Sequence, residues 1–328
     1  MKPYAEVCES GQIDRIRRAV LPVIEPAWGI RPETLRLVSR SYNTTFRVGA
    51  AAGPFALRVN IGSQHSREMI EAEVAFARHL SSAKTFRVPQ AIATTTGDHA
   101  VEVEIPGFET PVCVVLYEWL PGPTVGEGGT PEILTALGVA TRELHELGAA
   151  YPSAKPPFRV LIDAYYGDPY RLPGQDLDLG LFEECSRRVD ELFARLADMP
   201  RIPMHADLHL YNLKFHGGRL SIFDFDDAVV SWPVMDPAIT LWYLRRDPRG
   251  LELEPHFWKG LDATSSDFGV SAEEFETLVA ARTVLLVNDI VGTTSAETKK
   301  EIPRFIRRCE ALLRHYLKTG RYAPKEVP

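Results

Sequence analysis

The sequence predicts an α+β fold in two parts: an antiparallel N-terminal sheet with a helix, then a mostly helical C-terminal segment. Three observations carry this. The clearest strand-like runs fall before residue 118. Long amphipathic stretches dominate after residue 125. Between them Pro121-Gly122-Pro123 breaks the chain, which sets the boundaries at 1–118, a linker at 119–124, and 125–328. A chain of 328 residues also exceeds one ordinary core, so two units are expected on length alone.

Taken in order, Ile13 to Ile24 places Ile13, Ile16, Val20, Leu21 and Ile24 on a helical stripe opposite Arg15, Arg17 and Arg18. Leu35–Val38, Thr44–Val48 and Phe55–Val59 are strand-like runs joined by turn-rich segments, which implies antiparallel hairpins. Ser66 to Leu80 reads as a helix with Met69, Ile70, Val74, Ala77 and Leu80 on one face. Two further strand-like runs flank Gly97-Asp98, the second being Ala100–Ile105, and Val112–Tyr117 reads as a buried strand. Beyond the linker, helices are predicted over 132–147, ended by Gly148, and over 179–197, 273–291 and 303–317. Residues 149–174, rich in Pro, Tyr and Gly, read as a long loop.

Composition narrows the function classes. The formal net charge of −7 and pI near 5.8 argue against a nucleic-acid partner, which would ask for a basic excess. Cys8, Cys113, Cys185 and Cys309 show no paired spacing and read as reduced thiols, not as disulfides or a zinc site. No apolar run is long enough for a membrane span, and the start lacks the apolar core of a signal peptide, so a cytoplasmic protein is expected.

The densest chemistry lies in His205-Ala-Asp207-Leu-His209-Leu-Tyr-Asn212, followed by the apolar strand Leu220–Phe223 and then Asp224-Phe-Asp226-Asp227. Phosphoryl transfer to a hydroxyl needs a carboxylate to accept the proton, and an amide oxygen with a second carboxylate to hold Mg²⁺ against phosphates. A base Asp with an Asn five residues later fits one tight loop, and an Asp after the next hairpin returns to the same place. Asp207, Asn212 and Asp224 have that order and spacing.

This segment resembles the catalytic and metal loops of the aminoglycoside and choline phosphotransferase family, which includes type II homoserine kinases and a bacterial stress-response Ser/Thr kinase. The resemblance implies a protein-kinase-like two-lobed fold and an ATP- and Mg²⁺-dependent kinase. It assigns Asp207 as catalytic base and Asn212 and Asp224 as Mg²⁺ ligands, with His205 and Asp236 supporting the loop. His209 reads equally as a loop brace or a substrate contact.

Upstream the resemblance extends at lower specificity and marks 1–118 as a nucleotide-binding lobe. Ser39, Ser41 and Asn43 sit where a nucleotide-covering turn is expected, although Arg40 and Ser41 stand where the family often has glycine. Arg58 occupies the place of the usual phosphate-pairing Lys; it is always charged and forks onto oxygen pairs. Its helical partner falls to Glu73, with Glu71 the alternative. Val114–Leu120 matches the family's hinge, with Glu118 and Leu120 at the adenine.

Three rival readings compete with this one. A metal hydrolase could use His205, Asp207 and His209, but the histidines at 216, 256 and 315 lack supporting context and Asn212 would be idle. A phosphatase built on Asp224-Phe-Asp226 would carry that motif near the start of its domain. A silent kinase-like module need not keep Asp207, Asn212 and Asp224 together. For the acceptor, Asp226 and Asp227 could hold a cationic group and Trp232 could pack on sugar or ammonium, while Ile239, Trp242 and Tyr243 at helical spacing read equally as core. The loop Tyr165–Tyr170 could close over an acceptor or pack as surface. A small-molecule hydroxyl is the expected acceptor, with a protein Ser/Thr as the runner-up; choline, homoserine, aminoglycoside and protein hydroxyls all stay open.

Overall fold

The computed structural model of the chain describes residues 2–40, 42–63, 65–152, 158–293 and 296–324. They form two compact units, one from residues 2–82 and 88–121, the other from 83–87, 122–152 and 158 onward.

The first unit opens with α1 (Glu9–Trp28), whose buried residues Gln12, Ile16, Val20, Ile24 and Trp28 recur every four positions. Gly29 ends it at φ 66°, a left-handed turn that costs glycine nothing. Strands β1 (Thr34–Arg40), β2 (Thr44–Ala50) and β3 (Gly53–Val59) pair as successive antiparallel neighbours. Helix α2 (Arg67–Leu80) is capped by Ser66, whose side chain accepts from Met69 N. After it come β4 (Phe86–Arg87), β5 (Ala100–Val103) and β6 (Val112–Glu118). Strands β5 and β6 complete a five-stranded sheet in the order β1-β2-β3-β6-β5.

Strand β6 explains how this sheet is covered. Val112, Val114 and Leu116 join the core cluster that holds the α1 stripe, while Cys113, Val115 and Tyr117 join the cluster with Ile70 and Val74 of α2. Alternate residues point to opposite faces, so a helix on each face demands an apolar residue at every position. The run before Gly97, read as a strand, is not one: it reaches β6 only through an isolated bridge, Ala91 to Tyr117. A tight turn, with Thr94 N donating to Asp98 O at 2.7 Å, takes up the residues that would have extended it.

Strand β4 falls within the segment assigned from sequence to 1–118, yet it belongs to the second unit. It pairs in parallel with Leu220 and Ser221, and Glu143 accepts from Lys84 N and Thr85 N, both at 2.8 Å. The second unit continues with α3 (Pro131–Ala150), β7 (Arg159–Val160), α4 (Leu179–Arg195) and β8 (Ile202–Met204). Then follow β9 (Leu213–His216), β10 (Arg219–Ile222), β11 (Val229–Ser231), α5 (Met235–Leu244), α6 (Gly250–Leu261), α7 (Ala272–Ile290) and α8 (Ala296–Thr319). The expected 149–174 loop is thus interrupted by β7, which pairs in parallel with β11.

Helices α3 and α6 touch backbone to backbone. A Cβ on Gly138 would lie 2.1 Å from Phe257 O, and one on Gly260 would lie 2.0 Å from Thr135 O, so only glycine permits the crossing. No helix among the described residues is long and apolar enough to cross a membrane.

Replacing the fully buried Leu116 with Ala is expected to cost about 2–5 kcal/mol in chemical denaturation. The same truncation at Val38, half exposed on β1, should cost within about 0.5 kcal/mol. Equal losses at the two positions would reject the two-faced burial of β6.

Candidate active site

In the second unit, β8 delivers the chain to His205 and a loop that Asp236 holds from beneath. Asp236 lies in the first turn of α5 and is fully buried. Its Oδ1 accepts the Ala206 N–H at 2.8 Å, and its Oδ2 meets His145 Nε2 of α3 at 3.0 Å. Ala206 is bent to φ 60°. His205 then ties two segments together: its Nδ1 accepts the Asp207 N–H at 3.2 Å, so its Nε2 carries the proton and donates to Phe223 O at 3.1 Å. Phe223 N donates in turn to Asn212 O at 3.1 Å. Both backbone groups of Phe223 are therefore fastened to the loop, and this fixes where Asp224 begins.

Asp207 is surrounded by donors. Asn212 Nδ2 donates to both Asp207 O and Asp207 Oδ2, each at 2.9 Å. His209 accepts the Tyr211 N–H on Nδ1, so its Nε2–H donates to Asp207 Oδ2 at 3.2 Å. Arg282 of α7, 3% exposed, donates Nη2 to Asp207 Oδ1 and also to Tyr243 Oη at 3.2 Å. The Tyr243 ring stacks on His209 with centroids 3.9 Å apart. Burial alone would raise the Asp207 carboxyl, but Arg282 and His209 outweigh it and hold it well below the usual carboxylate range.

The same Arg282 Nη2 lies 3.6 Å from Asp227 Oδ2, and Arg159 Nη2 lies 3.8 Å from Asp227 Oδ1. Arg282 is thus shared between two carboxylates. Burial, followed by the nearby Asp207 charge, pushes the Asp227 carboxyl up to about 8. Asp226 is buried, whereas Asp224 is exposed and takes φ 67°. Neither Arg282 nor His145 was singled out from sequence. The available signal was a lone arginine within the apolar run Val279-Ala-Ala-Arg282-Thr-Val-Leu285 and a histidine on the inner face of α3.

The donor types near the loop suit a hard divalent cation. Asn212 Nδ2 is engaged by Asp207, which leaves Oδ1 as that amide's oxygen donor, and Asp224 is an exposed residue. Among the described residues no group of three or more His, Cys, Asp or Glu could hold a metal by itself. A site of one amide and one carboxylate oxygen is the kind that Mg²⁺ shares with phosphate and water ligands.

Trp232 does not offer the ring face expected of it. It is 2% exposed, its Nε1 donates to Leu196 O at 2.6 Å, and its ring packs on Phe193. An indole placed after β11 satisfies its own N–H inside the core and leaves nothing for an acceptor.

In the first unit, Arg58 and Glu73 form a buried fork, with Nη1 to Oε1 at 2.8 Å and Nη2 to Oε2 at 2.5 Å. Tyr117 Oη also donates to Glu73 Oε1 at 3.2 Å. Glu71 is engaged elsewhere, accepting from His99 N at 3.1 Å. Asn43 Oδ1 is occupied by Gly62 N and Ser63 N at 3.1 and 3.2 Å, which makes it a tether between strands. Ser39 is exposed on β1, while Ser41 lies outside the described residues. Glu118 N donates to Gln90 O at 2.9 Å, and Leu120 is buried.

Comparison with known proteins matches residues 34–266 to the phosphotransferase enzyme family (APH). Amicoumacin kinase of Bacillus subtilis (strain 168) is 26% identical over 257 residues, covering 74% of this chain and 75% of that protein. A microcompartment-associated aminopropanol kinase has a TM-score of 0.69 at 20% identity, covering 96% of this chain and 99% of the other. An amicoumacin kinase solved with AMP-PNP, Ca²⁺ and Ami has a TM-score of 0.68 at 20% identity, covering 92% and 96%. The shared fold is the protein-kinase-like one that the sequence implied. Arg282 lies beyond the matched residues.

The shared guanidinium makes a pH-dependent prediction. A carboxyl whose folded pKa is raised from its ordinary value near 4 to about 8 destabilises the fold progressively as pH rises between those values. Asp227→Asn should therefore gain stability over the wild type on going from pH 5 to pH 8.5. The side chain is 35% exposed and screened, so the gain should stay within about 1–2 kcal/mol. An equal effect at both pH values, read from melting curves, would remove the coupling.

Proposed function

The chain belongs to the phosphotransferase enzyme family, and from that premise we propose that it transfers the γ-phosphoryl group of ATP to a hydroxyl of a small molecule, with Asp207 accepting the hydroxyl proton. The observation that carries this reading is the set of donors around Asp207, which keeps one carboxylate ionised and oriented in a largely buried setting.

A carboxylate held so far below its ordinary pKa is a weak base. Phosphoryl transfer tolerates that, because the leaving group departs early and the attacking oxygen loses its proton late. The demand on Asp207 is to orient the hydroxyl in line and to take its proton as the new oxygen–phosphorus bond forms and the bond to the β-phosphate oxygen breaks. Asn212 and His209 fix the carboxylate plane for that task, and Asp236 and His205 fix the loop beneath. Asn212 Oδ1 and the Asp224 carboxylate would hold Mg²⁺, which supplies charge neutralisation for the phosphate oxygens when bound.

In the first unit, the Arg58–Glu73 fork supports a phosphate-pairing role for Arg58. The guanidinium is permanently charged and is locked in one orientation by a bidentate partner. Ser39, Ser41, Glu118 and Leu120 complete the proposed nucleotide contacts. Asn43 shapes the turn and is not among them.

The test is ADP release from ATP across a metabolite panel of alcohols, run beside a generic protein substrate. A small-molecule acceptor should support turnover, and Asp207→Asn should lower kcat by about 10²–10⁴-fold in protein that melting curves show to be folded. Full activity in that variant would refute the base assignment. Turnover of the protein substrate alone would refute the small-molecule acceptor.

A further inference from the structure

Four side chains from three separate stretches of the second unit close a circuit around Asp207. Arg282 of α7 donates Nη2 to Asp207 Oδ1 and also to Tyr243 Oη, the latter at 3.2 Å. Tyr243, near the end of α5, stacks its ring on the His209 imidazole with centroids 3.9 Å apart. His209 donates Nε2–H to Asp207 Oδ2 at 3.2 Å, which returns the circuit to the carboxylate where it began. The carboxylate is therefore restrained through both of its oxygens.

Stability alone does not call for this arginine. It interrupts the apolar run Val279–Leu285, and its Nε is buried without a hydrogen-bond partner among the described residues. A buried ion pair seldom repays the desolvation of its charges, and an apolar pair of the same volume packs as well or better. What the guanidinium does supply is a fixed orientation for Asp207. A carboxylate offers about four acceptor positions, two on each oxygen. On Oδ2 both are taken, by Asn212 Nδ2 at 2.9 Å and by His209 Nε2. On Oδ1, Arg282 is the single donor among the described residues, which leaves one position unfilled. The Asp207 side chain is 18% exposed, so an incoming group can reach it.

We propose that Arg282 is a positioning residue of the transfer: with Tyr243 it fixes Asp207 so that Oδ1, and not Oδ2, takes the acceptor's proton. The inference rests on the phosphotransferase reading and assigns its proton to one atom. The acceptor hydroxyl donates to the unfilled position on Oδ1. As its oxygen bonds to the γ-phosphorus, the bond to the β-phosphate oxygen breaks and ADP leaves with that electron pair. The hydroxyl proton passes to Oδ1. Hinged on Oδ2 alone, without the guanidinium, the carboxylate would pivot and the hydroxyl would no longer be held in line.

The test follows ADP release from Mg²⁺–ATP with water as the acceptor, and with the panel alcohol that the wild type turns over fastest. Arg282→Ala should lower kcat by about 10²-fold while the KM for ATP holds. Tyr243→Phe keeps the ring on His209 and removes only the hydroxyl, so kcat should fall by about 10-fold. The double variant should be no slower than Arg282→Ala alone, because both changes break one circuit. An unchanged kcat in folded Arg282→Ala would overturn the proposal; if that variant does not fold, an unchanged kcat in Tyr243→Phe would do so. A higher KM for ATP in place of a lower kcat would mark a merely structural role and overturn it too. Melting curves judge the circuit without any substrate: the losses from the two substitutions should not add, and full additivity would reject it. A wild type that releases ADP with no acceptor would instead overturn the phosphotransferase reading itself.

Discussion

A single carboxylate that never meets water holds the site together. Asp236 divides its two oxygens between the Ala206 N–H and the His145 ring. A buried charge is tolerated only when its lone pairs are filled, so the arrangement is mutually enforcing. The loop must bend at Ala206 to present its N–H, and α3 must present His145 at the right height. The bend then aims Asp207 toward Asn212, His209 and Arg282. Removing any one partner leaves an unmatched charge in the core, and this is why three distant stretches of chain behave as one unit.

The second constraint is a shortage of positive charge. Arg282 is a single buried guanidinium facing both Asp207 and Asp227. It favours the carboxylate it touches directly, while Asp227 is met by Arg282 and Arg159 only at 3.6 and 3.8 Å, beyond hydrogen-bond reach. The site thus splits two chemically identical groups into one that is firmly ionised and one that titrates far above its ordinary range. A different solution appears at Arg58, where one guanidinium meets one carboxylate through two parallel hydrogen bonds and little imbalance remains.

Much of this was legible in the sequence, for physical reasons that can be named. Helices α1, α2 and α3 bury one stripe and leave the other in water, so their period shows. Helix α5 is buried on nearly every side, which erases the period, and α6 carries Pro255 in its middle. The order Asp207, Asn212, Asp224 is legible because one hairpin connects them locally. Arg282 is not, because it arrives from a helix seventy-five positions later and only folding reveals which carboxylate it meets. Trp232 misled for the opposite reason: an aromatic residue beside acidic ones invites a binding role, and its N–H had already found a carbonyl in the core.

The glycine crossing of α3 and α6 reaches further than packing. Gly138 and His145 are seven positions apart, close to two turns, so they lie on one face about 10 Å apart along the axis. Where the backbones touch, α3 can neither roll nor slide without collision. The helix acts as a keyed shaft: the contact at one end sets the angular phase of the imidazole at the other. A one-residue slip would swing that ring through about 100° and strip Asp236 of its second partner.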